Sequence, residues 1–334
     1  MKCFLHIGTE KTGSTTLQGF LNLNQEKLLQ NGFYYPKSLG LPNNRLLSVM
    51  AYNSNRRDGF TRRKGIKTDE DLINFQNKIK AKFKREISTI ENDTNLILSN
   101  EHIQSRLTSV EEIIRLKSIL NELGIDDISI IIYLRNPSEI ANSLFSTAIK
   151  SGGVLDKVPP PTDKYFGNVC NHKATIERFS EVFGEDKLKL RLFRKDRLVN
   201  QSLIEDFLEI LGVETEVNEF KLVQNQNESL SELGIEILRN LNLELKNSEN
   251  LKLSRLELVK LISRHFNEPK YVMPKEMYEE YENHFEQSNN WVREKFFPKE
   301  IELFNPKPKI NTQDLIQNNE IKNISNFILE ILKR

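Results

Sequence analysis

The sequence has little cysteine, no long apolar run and no surplus of charge, and each shortage excludes a class of protein. Its 334 residues include two cysteines, Cys3 and Cys170, too few for a disulfide framework or a four-ligand zinc site. Lys and Arg number 48 against 47 Asp and Glu, a net charge of +1, so we expect no nucleic-acid partner. The richest apolar run, residues 128–134, has only the length of a strand, which predicts no transmembrane segment.

The N-terminal residues 1–8 do not have the pattern of a signal peptide. They contain too few apolar residues and lack a small-residue cleavage site. Together with the low cysteine content, this favours a cytoplasmic protein. Hydrophobic residues make up 38% and charged residues 28% of the chain, enough for a core beneath a well-solvated surface.

The order of apolar segments predicts an α/β fold. Strand patterns at 1–8, 95–98, 128–134 and 187–193 alternate with helix patterns, as in a central parallel sheet. We expect a single domain over 1–334. It comprises an α/β core at 1–215 and a mostly helical extension at 216–334. Within the core, residues 36–68 lack periodicity and carry Pro, Gly and Asn, which predicts an irregular insert.

A glycine-containing turn follows the first strand and leads into a helix. In Gly8-Thr-Glu-Lys11-Thr-Gly13-Ser14 this geometry directs backbone N–H groups and the positive end of the helix dipole at an anion. Lys11 adds a cation, and the neighbouring hydroxyls add donors. The spacing of Gly8 and Gly13 matches the start of a Walker A loop, but Ser14 stands where a nucleoside triphosphatase needs lysine.

Two further features bear on the reaction. The strongest later strand ends in Arg135 and not in an aspartate that would hold magnesium, so a P-loop nucleotide kinase or NTPase is the weaker alternative. A lysine inside the loop, without an evident metal, fits transfer of a sulfuryl group. That group carries less charge than a phosphoryl group and can be managed by lysine and amides alone.

The loop resembles that of sulfotransferases that use 3′-phosphoadenosine 5′-phosphosulfate, whose 5′-phosphosulfate loop has the form Lys-x-Gly-(Ser/Thr)-Thr. Lys11-Thr12-Gly13-Ser14-Thr15 matches this form, and the string HIGTEKTGSTTLQ looks most like the bacterial carbohydrate-type members. Arg135, with Ser143 eight residues later, is similar to the family's 3′-phosphate site.

The resemblance implies a three-layer fold like that of the P-loop NTPases, a hydroxyl-bearing acceptor such as a carbohydrate, and no metal. The residues that it implies for binding the co-substrate are Lys11, Thr12, Gly13, Ser14, Thr15, Thr16, Arg135 and Ser143. A catalytically silent nucleotide- or glycan-binding relative is a further alternative. One departure is Arg194, where the family pattern leads us to expect an acidic residue.

Transfer to a hydroxyl requires a general base, and the residues after the strand at 95–98 supply two candidates. Glu101 follows a strand end, where ligands bind in parallel sheets, and the family uses either a glutamate or a histidine. His102 is therefore the rival, and a first-turn carboxylate without catalytic role is the alternative for Glu101. Lys11 is expected to bind the transferring sulfonate and to stabilise the leaving oxygen.

Residues 56–67 contain six basic residues and one acidic residue. The segment is either a solvated loop or a lip that binds an anionic or polyhydroxylated acceptor. We expect His6, His172 and His265 to be structural or surface residues.

Overall fold

A five-stranded parallel sheet forms the centre of the first of two units in the computed structural model. The structure describes residues 1–91, 93–223, 230–245, 254–266 and 269–304, together with residues 321, 324, 325, 328, 329 and 332. The first unit comprises Met1–Arg135, Asn171–Gln224 and Ser288–Asn305; the second comprises Asn136–Cys170, Asn225–Gln287 and Pro306–Arg334. The sequence-based expectation of a single domain over 1–334 remains a prediction.

The strands are β1 (Lys2–His6), β2 (Phe33–Tyr34), β3 (Asn95–Ser99), β4 (Asp127–Leu134) and β5 (Leu188–Leu192). The helices of the described residues, short 3₁₀ turns aside, are α1 (Ser14–Leu23), α2 (Gln25–Gln30), α3 (Leu46–Ala51), α4 (Gly59–Arg63), α5 (Asp69–Ile87), α6 (His102–Arg106), α7 (Val110–Glu122), α8 (Pro137–Lys150), α9 (Lys164–Cys170), α10 (His172–Phe183), α11 (Leu203–Leu211), α12 (Glu232–Leu245), α13 (Arg255–His265) and α14 (Lys275–Phe296).

The strand order is β2-β3-β1-β4-β5, and every pair is parallel. The predicted α/β class with a central parallel sheet is therefore confirmed. The short strand β2 at the sheet edge is too brief to be recognised from its sequence pattern. Because β1 lies between β3 and β4, the segments that follow these three strands emerge side by side.

Both faces of the sheet are covered, which explains why its strands are apolar without alternation. In β4, residues 128–134 are all buried. Ile130 and Ile132 pack into a core with helices α3, α5, α7 and α10, whereas Ile131 and Tyr133 pack on the opposite face with helices α1 and α11. This accounts for the continuous apolar run by which the strand was predicted.

The insert at 36–68 is more ordered than its sequence suggests. It contains α3 and α4, and Leu47, Val49 and Met50 are buried in the core. Helices of five and six residues are too short to show a 3.6-residue period, so the expectation of an irregular segment is wrong here. The following helix α5 begins at Asp69, directly after the insert, and ends at Ile87.

The second unit is helical in its described residues. Helix α8 begins with Pro137 in its first turn, and the side chain of Asn136 caps it by accepting a hydrogen bond from the Ser138 amide. Apolar residues of α8, α9, α12, α13 and α14 form a core of its own. No helix among the described residues combines the length and the apolar character needed to cross a membrane.

A buried polar pair in the first unit leads to a prediction about stability. The hydroxyl of Tyr133 donates to Asp206 Oδ1 at 2.7 Å, and the Asp206 side chain is buried. Tyr133→Phe should lower stability by roughly 1–3 kcal/mol, because it removes a donor from a buried carboxylate. Thermal unfolding followed by circular dichroism would measure the loss.

Tyr34→Phe is the matched control. Its hydroxyl donates to Glu86 Oε1 at 2.9 Å, in a half-buried position where water can replace it. Equal midpoints for the two variants would contradict the role given to the Tyr133–Asp206 pair.

Candidate functional site

The candidate residues lie at the carboxyl ends of three adjacent strands. The loop 7–13 follows β1, Glu101 follows β3, and Arg135 follows β4. His6 is in register with Ser99, so β1 and β3 end at the same level. It is also in register with Ile131 of β4, and β4 continues to Leu134 alongside the loop that follows β1. In an open parallel sheet this edge is where ligands bind.

The loop after β1 is held against β4 by backbone hydrogen bonds. The Thr9 amide donates to the Tyr133 carbonyl at 3.1 Å, and the Tyr133 amide donates to the Gly8 carbonyl at 2.8 Å. Within the loop, Thr12 Oγ1 donates to the Thr9 carbonyl at 2.6 Å. Lys11 has a φ of 69°, a left-handed conformation that turns the chain sharply. The loop is thus a fixed structure, whose shape the strands impose.

Glycine is favoured at position 13 for two reasons. Its φ is 78°, and a Cβ atom there would lie 2.5 Å from Leu203 Cδ2. At Gly8, where φ is 107°, a Cβ atom would lie 3.3 Å from the Cβ of Glu101. The two glycines therefore allow the loop to approach α11 on one side and the candidate base on the other.

The N-terminus of α1 has the features of an anion site. Gly13 occupies the N-cap position, no side chain caps the helix, and its first turn contains no acidic residue. Its first amides therefore lack a capping partner. The hydroxyl of Ser14 is buried and has no hydrogen-bond partner among the residues that the structure describes, Thr16 is half-buried, and Thr15 is exposed. An unpaired buried hydroxyl beside uncapped amides fits a bound phosphate or sulfate group.

Two cationic residues meet at this loop. Arg135 Nη1 donates to the Lys11 carbonyl at 2.8 Å, and the guanidinium lies 5.8 Å from the centre of the Phe193 ring. Burial and the nearby charge of Arg135 lower the pKa of Lys11, whereas Glu10 and Glu101 act in the opposite direction. The structure therefore brings Lys11 and Arg135, predicted from separate motifs, to one place.

His172 supports Arg135 from behind. Its Nε2 lies 2.7 Å from the Arg135 carbonyl, which can only accept, so the ring carries its proton on Nε2. Burial lowers the pKa of His172 to about 4, although the bond to Arg135 raises it, so the ring is neutral at pH 7. This agrees with the structural role expected for His172.

Glu101 is held by a chain of polar side chains. Its Oε2 accepts a hydrogen bond from Gln18 Nε2 at 2.6 Å, and Gln18 also donates to Ser99 Oγ at 3.3 Å. Ser99 Oγ in turn lies 2.8 Å from Nδ1 of the buried His6. Burial lowers the pKa of His6 to about 3, so it is neutral and structural, as expected. Gln18, on α1, fixes the position of the Glu101 carboxylate.

His102 lies between two carboxylates. Its Nδ1 is 3.5 Å from Glu10 Oε1, and its Nε2 is 3.9 Å from Glu101 Oε1. Burial raises the pKa of Glu10, but hydrogen bonds from His102 and Ser105 and the charges of His102 and Lys11 outweigh it and lower that pKa to about 2. Glu10 is thus ionised at pH 7. The sequence pattern does not reveal Glu10, because a carboxylate in a candidate anion-binding loop has no evident role until its histidine partner is seen.

The insert contributes Asn44, a second residue that the sequence does not reveal. Asn44 Oδ1 accepts from the Ser99 amide at 3.1 Å, and its carbonyl accepts from Asn100 Nδ2 at 2.9 Å. Asn100 Oδ1 then accepts from the His102 amide at 2.8 Å. The buried Asn44 thereby joins the insert to the turn that carries both candidate bases.

Ser143 lies on α8 of the second unit and is half-buried. Its pairing with Arg135 remains a prediction from the resemblance.

Arg194, where an acidic residue was expected, is an anchor of the first unit. Its guanidinium contacts Asp196 Oδ2 at 2.7 Å, Glu300 Oε2 at 3.2 Å and the Leu303 carbonyl at 3.2 Å. It joins the loop after β5 to residues near the end of α14, so its role is structural.

Three comparisons with known proteins complete the description. No family model and no curated protein matches the chain. Among solved structures it is similar to a sulfotransferase from Alicyclobacillus acidocaldarius, at 17% identity and a TM-score of 0.43, over 75% of this chain and 97% of that chain. A similarity of this extent says nothing about the reaction, which has to be inferred from the site itself.

The close approach at Gly13 predicts a specific sensitivity of the loop. Gly13→Ala should weaken binding of pyrophosphate, because the new Cβ would displace Leu203 or the loop itself. Isothermal titration calorimetry with pyrophosphate, and thermal unfolding of the free protein, would measure the two effects.

Gly32→Ala is the control, since Gly32 has a similar φ of 79° but nothing within 4 Å of the added Cβ. Its free energy of unfolding should fall by only roughly 1–2 kcal/mol, the cost of a non-glycine residue in the left-handed region. It should bind pyrophosphate as the parent does. If both variants bind pyrophosphate equally well, the loop is not the anion site.

Proposed function

We propose that the chain is a sulfotransferase that moves a sulfuryl group from 3′-phosphoadenosine 5′-phosphosulfate to a hydroxyl of a carbohydrate. The observation that carries the proposal is the meeting of Lys11 and Arg135 at the sheet edge, with Arg135 bonded to the Lys11 carbonyl. Two cations beside an uncapped helix suit a ligand with two separate anionic groups. Glu101 follows the adjacent strand β3 and supplies a carboxylate for proton transfer.

Each anionic end of the donor has its own candidate residues. The amides of residues 14–16, the Ser14 hydroxyl and Lys11 would bind the 5′-phosphosulfate. Arg135, whose guanidinium presents a planar fork of donors, would bind the 3′-phosphate, and the resemblance adds Ser143 there. Thr12 has its hydroxyl bonded within the loop, so we assign it to the shape of the loop and not to direct contact.

The proposed reaction is an in-line displacement at sulfur. The acceptor oxygen forms a bond to sulfur while the bond from sulfur to the 5′-phosphate oxygen breaks, and the hydroxyl proton passes to Glu101. Lys11 stabilises the negative charge that develops on the leaving oxygen. All transferred atoms come from donor and acceptor, and no metal takes part in these steps.

Glu101 is the better candidate for the base because its geometry is fixed. Gln18 holds Oε2, and the carboxylate side chain keeps 16% of its surface exposed. His102 is held by Glu10 on its other side and lies 3.9 Å from Glu101 Oε1. We therefore assign proton removal to Glu101 and propose that the adjacent His102 supports Glu101 electrostatically.

Ligand-linked stabilisation tests the class of donor. The melting temperature of the protein should rise more with adenosine 3′,5′-bisphosphate than with 5′-AMP or ATP at equal concentration, because only the bisphosphate can occupy both cationic positions. The titration should be run with and without magnesium. A stronger shift by ATP with magnesium, accompanied by its hydrolysis, would replace the proposal with a nucleotide kinase or NTPase.

Substitution of the acidic candidate tests the mechanism. Glu101→Gln should bind adenosine 3′,5′-bisphosphate normally and lose roughly 10²–10⁴-fold in kcat, because the amide cannot accept the proton. Lys11→Ala should lose both turnover and nucleotide affinity. Transfer of labelled sulfate from the donor to a panel of saccharides would give the rates.

His102→Gln is the matched control for Glu101→Gln and should retain more activity. The reverse order of the two variants would make His102 the base. Nucleotide binding by the parent without transfer to any member of the panel would favour a catalytically silent relative.

A further inference from the structure

A large cavity lies in the first unit beside the insert. Its volume is about 1030 Å³, and its walls come mainly from residues 40–64, with Phe75, His102 and Arg106. This is at the upper end of the roughly 300–1,000 Å³ typical of small-molecule sites, which suits a ligand larger than a single ion. Phe60 and Phe75 provide partly buried apolar surface on its wall.

The cavity wall is strongly basic, but part of that charge is neutralised internally. Arg45 pairs with Asp58, Arg56 pairs with the buried Glu112, and Arg57 pairs with Asp69. These ion pairs hold the insert together and bind it to helices α5 and α7. Their three arginines are therefore part of the scaffold.

Three other cations on the wall are not neutralised in this way. Arg62, Arg63 and Lys64 are exposed, and none of them has an ion-pair partner among the residues described for this chain. Arg62 has a long bond of 3.5 Å to the Arg57 carbonyl, and the Lys64 ammonium lies 5.9 Å from the centre of the Phe60 ring. A capping box of Asp58 and Thr61 fixes α4, which carries Arg62 and Arg63 and is followed directly by Lys64.

The cavity reaches the candidate catalytic residues through His102. His102 lines the cavity, and its Nε2 lies 3.9 Å from Glu101 Oε1. A ligand held by the three cations would therefore have part of its length beside the candidate base. This arrangement is what an acceptor site requires.

We propose that this cavity is the acceptor site and that it selects an oligosaccharide carrying carboxylate or sulfate groups. Arg62, Arg63 and Lys64 bind those groups, and a hydroxyl of the same saccharide faces Glu101. The inference rests on the proposed function, because only a transferase has an acceptor site. Binding of the saccharide can nevertheless be measured without the donor and without turnover. Arginine suits both anions because its fork matches two oxygens.

The test uses two acidic probes and their neutral counterparts. Tetragalacturonate is compared with its methyl ester, and sucrose octasulfate is compared with sucrose, by calorimetry on the free protein. The proposal expects binding of at least one acidic probe and at least tenfold weaker binding of its neutral counterpart. The affinity should fall as salt is raised from about 0.05 to 0.2 M, because exposed charges are screened.

The triple variant Arg62→Ala, Arg63→Ala, Lys64→Ala should bind the acidic probe about tenfold or more weakly, since each exposed contact contributes modestly. The matched control is Lys67→Ala, Lys82→Ala, Lys84→Ala, which removes the same charge from exposed positions outside the cavity wall. The control should bind the probe as the parent does. Equal losses in both triple variants would reduce the effect to net charge and overturn the proposal.

Adenosine 3′,5′-bisphosphate binding, measured in the same variants, separates this inference from the proposed function. If the bisphosphate binds but neither acidic probe does, the acceptor inference is wrong while the donor assignment stands. If an acidic probe binds to the cavity but the bisphosphate does not, the proposed function fails and a saccharide-binding site remains. If the variant Arg62→Ala, Arg63→Ala, Lys64→Ala loses affinity for the bisphosphate and the lysine control variant does not, the cavity belongs to the nucleotide and the inference is overturned.

Discussion

The pairing of β1 with both β3 and β4 is the constraint on which the site depends. β1 and β3 end level, with His6 opposite Ser99, and β4 runs on past Ile131 to Leu134 beside the loop that follows β1. The chain can therefore place the candidate anion-binding loop, a carboxylate and an arginine side by side, although Lys11 and Arg135 are 124 residues apart in sequence. Two backbone bonds between the loop and Tyr133 then extend the sheet into the loop itself.

The polar side chains that contact Glu101 and His102 form an ordered set of contacts of their own. Gln18 and Ser99 connect Glu101 to the buried His6, while Glu10 and Asn100 hold His102 from its other sides. A buried polar chain of this kind keeps each member in one orientation, because any other arrangement would leave a donor or acceptor unpaired. Such a network would keep the candidate base Glu101 in one position before any ligand binds.

The insert at 36–68 has two tasks in this arrangement. Asn44 and the buried face of α3 attach it to the strand end that carries the candidate bases, and its ion pairs attach it to α5 and α7. Because these contacts hold the insert in place, the remaining cations, Arg62 and Arg63 on α4 and the following Lys64, have defined positions on the cavity wall. In the proposed acceptor site, anchoring and ligand binding would fall to different basic residues of one short segment.

Local sequence pattern was enough to predict the α/β class, the positions of the longer strands, the turn at Lys11 and Gly13, and the placement of Arg135 at the end of a strand. Apolar runs, a glycine at a tight turn and a cation at a strand end can be recognised without knowing their neighbours. The tertiary structure alone decided that Glu10 holds His102, that Asn44 supports the turn at Glu101, that residues 46–51 form a buried helix, and which arginines are neutralised. Each of these depends on contacts between distant segments, and such contacts exist only once the sheet has brought those segments together.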